Sequence, residues 1–231
     1  MTRLALLSAI SAAAVLTGAG GAHAQEDYTN RGLSVYAPRP VKSVRGAAAG
    51  TQVAAATTLQ PSIAPPQVEA LRQRAKAALD ERLPRRLTVR NANTGESVSV
   101  VYWIGGEYDA WELARISQVL HDHHQVETAA IDSRLVDLIW ILARFNGSET
   151  VNVHSGYRSA RTNAQLASAS SAVAPDSLHI SGKALDITVP GVSTQALANM
   201  ALALAWGGVG YYGSANHVHV DVGVPRSWSN E

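Results

Sequence analysis

The sequence contains no cysteine, so it can form no disulfide bond and offers no thiolate to a metal ion. Any metal ligand must therefore be histidine, aspartate or glutamate. Long apolar runs are absent too, because the apolar segment at residues 4–17 falls short of the roughly 20 residues that a membrane span needs. We therefore expect no stable membrane insertion of the mature chain.

The first 24 residues have the pattern of an export signal. Arg3 supplies a basic start, residues 4–17 an apolar core, and Ala22-His23-Ala24 the small-x-small sequence of a signal-peptidase site. The pattern predicts a signal peptide over residues 1–24 and an exported protein of the periplasm or cell envelope. No cysteine follows the apolar core, which excludes lipid attachment at a cleaved N-terminus.

The chain also lacks a large excess of positive or of negative charge. The chain has 19 lysine and arginine residues against 18 aspartate and glutamate residues, and loss of residues 1–24 removes only Arg3 from this set. A mature chain with balanced charge argues against nucleic acid, or an anionic membrane, as its main partner.

Composition divides the remaining chain into three parts. Residues 25–66 are rich in alanine, proline, glycine, serine and threonine, which predicts a flexible tether. Residues 67–85 have helical composition and end near Pro84. The compact domain is expected over residues 86–231.

Helix and strand patterns alternate irregularly in that domain, without a repeated strand–helix–strand unit. This indicates the α+β class, with a small antiparallel sheet flanked by helices. The expected elements are a hairpin over 87–90 and 97–103, helices over 109–123, 132–146 and 193–206, single strands over 151–153 and 184–189, and a hairpin over 209–212 and 218–222.

The last predicted strand carries an unusual set of side chains. Because successive side chains alternate between faces, three valines share one face and two histidines and an aspartate share the other. The ordinary interpretation is a half-exposed strand with a polar outer face. The alternative is that the polar face holds metal ligands. The valine face consists of Val218, Val220 and Val222, and the polar face of His217, His219 and Asp221.

A second group of ligand-type residues lies upstream. His179 and Asp186 flank Gly182, which lets the backbone turn so that both side chains can converge. Asp186 stands between Leu185 and Ile187, so a carboxylate interrupts an apolar strand and needs a partner. That partner is a metal ion, an arginine or backbone N–H groups.

Four segments, with the order that they have along this chain, resemble those of a bacterial family of exported murein endopeptidases. The family is part of the zinc metallopeptidase group that includes D-Ala-D-Ala carboxypeptidases, phage endolysins and VanX-type dipeptidases, and the resemblance implies their hedgehog-like fold. It extends from about residue 86 to residue 228. The segments are Ser155-Gly156-Tyr157-Arg158-Ser159, residues 177–186, Gly208-Val209-Gly210-Tyr211-Tyr212 and residues 216–221.

The resemblance implies a role for individual residues. His179, Asp186 and His219 would bind Zn²⁺, and Arg158 would anchor the substrate or the developing oxyanion. Asp221 would orient a ligand histidine. The implied activity is zinc-dependent hydrolysis of peptide bonds in peptidoglycan stem peptides or cross-links.

One position departs from many relatives, which have an acidic general base where this chain has Asn216. His217 is the nearest replacement as base or oxyanion stabiliser, and a ligand role for it is the alternative. The missing acid also leaves two other functions open: a zinc-stabilised peptidoglycan-binding scaffold without turnover, and a carboxypeptidase that trims stem peptides.

Four further histidines have simpler interpretations. Three of them follow a predicted helix, where a cation complements the helix dipole. The fourth reads as a strand-end residue. They are His121, His123 and His124, and His154.

Overall fold

The structure is a computed structural model that describes residues 59–170 and 173–229. The predicted signal peptide, and the predicted tether as far as residue 58, lie outside the described residues, and both stay predictions. Within the described part of the chain, every helix is too short or too polar to cross a bilayer.

One eight-stranded sheet organises the described chain, in the order β3-β2-β1-β4-β5-β7-β6-β8. The strands are β1 Arg85–Asn91, β2 Ser97–Ile104, β3 Glu107–Tyr108, β4 Thr150–Ser155, β5 Ala184–Thr188, β6 Gly208–Tyr212, β7 His217–Asp221 and β8 Arg226–Ser229. The helices are α1 Pro65–Asp80, α2 Ala110–Val119, α3 Ser133–Phe145, α4 Ala160–Ala169 and α5 Thr194–Leu204, with a short 3-10 helix at Leu178–Ser181.

The α+β class is confirmed, and the sheet is larger and less uniform than the small antiparallel sheet that the sequence suggests. Strands β1 and β4 pair in parallel, as do β6 and β8. Parallel neighbours need a long crossover connection, and the chain from β2 to α3 provides it between β1 and β4. Strand β8 pairs in parallel with β6 and forms the edge of the sheet beside the predicted β6–β7 hairpin.

The two faces of β7 are divided as the alternation predicts. Val218 and Val220 are fully buried in the core. The opposite face is not a solvent face, because His219 is only 8 % exposed and Asp221 is 0 % exposed. The ordinary interpretation of a half-exposed polar strand is therefore wrong for these two residues.

The compact fold includes chain upstream of residue 86. Helix α1 buries Ala75 and Ala78, and the Arg72 Nε donates to the carbonyl of Ala203 at 2.7 Å. The Leu59 backbone exchanges hydrogen bonds of 2.9 and 3.0 Å with the Ser227 hydroxyl. The end of the segment expected as tether, and the helix that follows it, are thus fastened to α5 and β8.

Candidate metal centre and active-site cleft

Three predicted ligands converge on one point, each from a different segment. His179 comes from the 3-10 helix, Asp186 from β5 and His219 from β7, and each offers one ligand atom within 4.8 Å of the others. In the described ranges, no other group of three or more histidine, aspartate or glutamate side chains lies close enough together to hold a metal ion. His217 is not part of it.

The spacing of these atoms fits a tetrahedral metal ion. The His179 Nε2 lies 3.3 Å from the His219 Nδ1 and 3.4 Å from the Asp186 Oδ1, and the last two atoms are 2.9 Å apart. Zinc holds nitrogen and oxygen ligands about 2.1 Å away, which puts tetrahedral ligand atoms about 3.4 Å from one another. Two imidazoles and a carboxylate are also a usual donor set for catalytic zinc.

Strand register places two of the ligands. Asp186 and His219 are direct partners across β5 and β7. The same row continues to Ser155 on β4 and to Gly210 and Trp228 on the other side. Residues opposite each other across a sheet share a face, so the row brings its side chains together.

A glycine turn brings in the third ligand. Gly182 ends the 3-10 helix with φ +65°, and a Cβ there would lie 2.2 Å from the carbonyl oxygen of Ala130. The His179 Nδ1 donates to the Gly156 carbonyl at 2.8 Å, which leaves Nε2 for the ligand group. Burial lowers the pKa of His179, so the ring is held in the neutral form that binds metal.

Asp221 fixes the second imidazole. Its Oδ2 lies 3.2 Å from the His219 Nε2, so Nδ1 is the nitrogen that faces the ligand group. Burial alone would raise the pKa of Asp221, but hydrogen bonds from His219, Arg226 and the backbone of Gly208 and Gly223 hold it below its usual range. The carboxylate therefore stays charged in a fully buried position.

Two opposing effects act on the pKa values of His219 and Asp186. Burial alone would lower the pKa of His219, and its hydrogen bonds to Asp186 and Asp221 outweigh that effect and raise it. Burial would raise the pKa of Asp186, and the neighbouring histidines hold it well below its usual range. Both shifts show that the surroundings favour positive charge between these groups, which a bound metal ion would also supply.

Arg158 is tied to the ligand group rather than free for substrate alone. Its Nη2 donates to the Asp186 Oδ2 at 2.8 Å and its Nε to the Ser155 hydroxyl at 2.7 Å. No contact within the described ranges engages Nη1. One guanidinium can therefore orient a ligand carboxylate and still offer a donor to substrate.

A cleft of about 690 Å³ opens over the ligand group. His217 lines it, and its ring stacks on Tyr212 with centroids 4.8 Å apart. Asn216 lies in the preceding turn with φ +52°, where its side-chain carbonyl accepts from the Thr194 hydroxyl at 2.5 Å. Asparagine adopts this backbone conformation more readily than most residues, so Asn216 has a structural role in the turn.

Sequence reasoning missed part of the cleft. Arg226 and Trp228 line it from β8, and Arg226 pairs with Asp221 at 2.7 Å. The Trp228 ring lies 5.1 Å from the His219 ring. Alternation of a cation and an aromatic at Arg226 and Trp228 is a strand signal, but four residues give little periodicity to detect.

The chain is similar in sequence to known peptidoglycan endopeptidases. A family model described as "Peptidoglycan L,D-endopeptidase MepK" matches residues 79–228. The chain is 37 % identical over 153 residues to the peptidoglycan L,D-endopeptidases MepK of Escherichia coli K12 and of Shigella flexneri, covering 66 % of this chain and 84 % of each relative. It is 35 % identical over 147 residues to the probable peptidoglycan L,D-endopeptidase MepK of Haemophilus influenzae, covering 63 % of this chain and 79 % of the relative.

Proposed function

This chain belongs to the peptidoglycan L,D-endopeptidase MepK family, and on that premise we propose that it is an exported zinc endopeptidase that cleaves L,D peptide bonds in peptidoglycan cross-links. The observation that carries the proposal is the tetrahedral spacing of three buried ligand atoms at the floor of a large cleft. The family gives the substrate class, and the site gives the chemistry.

His179, Asp186 and His219 are proposed to hold the metal. A zinc ion held there would supply Lewis acidity, which would polarise a carbonyl group and make water a better nucleophile near neutral pH. Asp221 keeps the Nδ1 of His219 turned towards the ion. Arg158 orients Asp186 and presents Nη1 to a substrate carboxylate or to a carbonyl oxygen that gains charge.

Proton transfer is assigned to His217. The residue lines the same cleft as the ligand group, and the structure gives its Nε2 no partner in the described ranges. Its Nδ1 lies 3.3 Å from the Ala215 carbonyl, which favours the tautomer with Nε2 as acceptor. A neutral imidazole whose Nε2 is free can act as a general base.

The test joins metal content with product release. Protein starting at Gln25 is purified, its metal is quantified, and it is incubated with purified peptidoglycan with and without chelator. We expect about one zinc ion per chain and chelator-sensitive fragments whose masses place the cut at an L,D bond inside a cross-link. Release of terminal residues alone would instead identify a carboxypeptidase.

Two further results would contradict the proposal. Zinc without any soluble product favours a peptidoglycan-binding scaffold, and absence of metal refutes the ligand assignment. Arg158→Ala should abolish product release in folded protein, while Asp80→Asn, an exposed acid at the end of α1 that does not line the cleft, should leave it unchanged. Export is tested separately, by the mass of the mature protein isolated from the periplasm.

A further inference from the structure

A second cavity of about 280 Å³ adjoins the cleft. Arg158 and Leu166 line both cavities and form the wall between them. The ligand group belongs to the larger cavity, and none of its three members lines the smaller one. The lining of the smaller cavity is polar and rich in histidine, and includes Asn93, His121, His123, His154 and Tyr157.

Residues 121–124, at the start of the loop over residues 121–127, form the rim of this second cavity. A backbone bridge between Asp122 and Glu127 closes the loop. Asp122 is 2 % exposed and accepts from the Ser159 backbone N–H at 2.8 Å, so the rim is fastened to the turn that carries Arg158. Val126 has φ +55° and is 82 % exposed.

A β-bulge in β4 shapes the opposite wall. The register of β4 against β5 shifts between Val153 and Ser155, so His154 is the additional residue, and bulges beside active sites redirect side chains. The His154 ring stacks on His217 with centroids 6.0 Å apart. The two rings thus link the second cavity to the main cleft.

The second cavity offers free hydrogen-bond donors, and its one acid is already occupied. Within the described ranges, neither the His123 ring nitrogens nor the Arg158 Nη1 has a hydrogen-bond partner, and the His123 ring lies against the His124 ring with centroids 4.1 Å apart. The acid in the lining, Asp122, already accepts from backbone N–H groups with both oxygens, at 2.8 and 2.9 Å. Glu96 approaches His121 to 3.8 Å but does not line the cavity. This chemistry suits a ligand that presents carbonyl or carboxylate oxygens.

We propose that the second cavity binds one branch of the cross-linked substrate, a carboxylate-bearing peptide segment that continues past Arg158 on the far side of the scissile bond. The inference rests on the proposed function. It explains why the cavities share Arg158 and why a polar rim is held rigidly beside a metal site. An enzyme that uses both cavities binds a branched cross-link better than a truncated peptide with the same bond.

The test compares two substrates that contain the same scissile bond. One carries both complete stem peptides, and in the other the second stem is cut back to the residue that bears the bond. The variants are His123→Ala and the double variant His121→Ala with His123→Ala. Val126→Ala is the matched control, because Val126 lies on the same loop and lines neither cavity.

We expect the KM for the complete substrate to rise about threefold to tenfold in the double variant, the value of one or two hydrogen bonds. The kcat for both substrates, and the KM for the truncated one, should stay as in the wild type. Equal losses on both substrates, or no preference of the wild type for the complete one, would overturn the inference. A wild-type protein that cuts neither substrate overturns the proposed function, and the inference with it.

Discussion

Asp221 is a fully buried charge that sets the orientation of His219. It accepts hydrogen bonds from the Gly208 and Gly223 backbone at 2.7 and 2.8 Å and from Arg226 at 2.7 Å. These contacts leave it one favourable orientation, with Oδ2 towards the His219 Nε2. A partner of this type raises the basicity of a ligand imidazole and fixes its ring.

Replacing Asp221 by asparagine should weaken metal binding without unfolding the protein. An amide keeps the size of the side chain but loses the charge that favours an Nε2–H donor on His219. We expect zinc affinity to fall about 10- to 100-fold, measured by competition with a chromogenic chelator. Asp176→Asn is the control, since Asp176 is an exposed acid on the same cleft. Unchanged affinity in Asp221→Asn would exclude the orienting role.

Asp122 should make stability depend on pH in the acid range. Burial alone would raise its pKa, but hydrogen bonds from Thr162, Ser159 and His124 lower it to about 2. A carboxylate whose pKa is lower in the folded than in the unfolded state, where it is about 3.9, stabilises the fold above pH 4. That contribution is lost as the pH falls from about 4 to about 2.

The comparison of wild type with Asp122→Asn tests this. Above pH 5, the free energy of unfolding should be about 1–3 kcal/mol higher for the wild type than for the variant. This difference should shrink between pH 4 and pH 2. Urea titrations with chelator present throughout keep metal release out of the comparison. A difference that persists at pH 2 would show that the carboxylate charge is not responsible.

At the scale of the elements, the hairpins and helices were predictable because each has local signals. Alternation in β7 placed the valines in the core, and Asp132 caps α3 as an N-terminal aspartate should. Strand β3 has only two residues, and the bulge at His154 depends on the partner strand. Such features arise from tertiary pairing, which a single sequence does not display.

The candidate site divides in the same way. Residue type marked a wider group of candidate ligands, because metal ligands have restricted chemistry. The family resemblance reduced that group to His179, Asp186 and His219, and the fold brings these three side chains together. Their binding of a metal ion stays a prediction. The pairing of Arg158 with Asp186 and of Arg226 with Asp221 depends on the approach of distant segments. Arg158 was predicted as a substrate anchor, and its contact with a candidate ligand appeared only in the fold.

Two glycines allow the turn beside His179 to be tested with a matched control. Gly182 and Gly191 both have positive φ, +65° and +77°, but only Gly182 has an atom within 4 Å of an added Cβ. Gly191→Ala should therefore cost only the backbone penalty, about 1 kcal/mol. Gly182→Ala should cost more, about 2–4 kcal/mol, because the Ala130 carbonyl must move.

Thermal unfolding gives both values, and metal analysis gives the consequence for the site. Gly182→Ala should also lose zinc, since the same turn positions His179. Equal destabilisation by the two substitutions would show that the close approach to Ala130 has no energetic weight.

At the scale of the whole molecule, a second polar centre stabilises the part of the sheet formed by β1, β2 and β3. Asp137 on α3 accepts from Arg85 at 2.7 Å and from the Tyr102 hydroxyl at 2.9 Å. Tyr108 donates to its other oxygen, and Arg85 also donates to the Leu79 carbonyl near the end of α1. Strands, α1 and α3 are thus joined through one buried carboxylate.

Removal of this carboxylate should destabilise the fold and leave the metal site intact. Asp137→Ala leaves the Arg85 guanidinium, which is only 3 % exposed, without its charged partner. We therefore expect the free energy of unfolding to fall by about 3–5 kcal/mol. Tyr108→Phe removes one hydrogen bond from the same centre and should cost about 1 kcal/mol. Urea unfolding measures both. A changed zinc affinity in folded Asp137→Ala would contradict the separation of the two centres.

The row that joins Asp186 to His219 has a consequence for how the chain folds. If β5 and β7 paired one residue out of step, the two side chains would point to opposite faces of the sheet, and no single ion could reach both. A metal ion held by both side chains would therefore stabilise only those chains in which these two strands pair in the observed register. Chains paired in another register would lose this stabilisation.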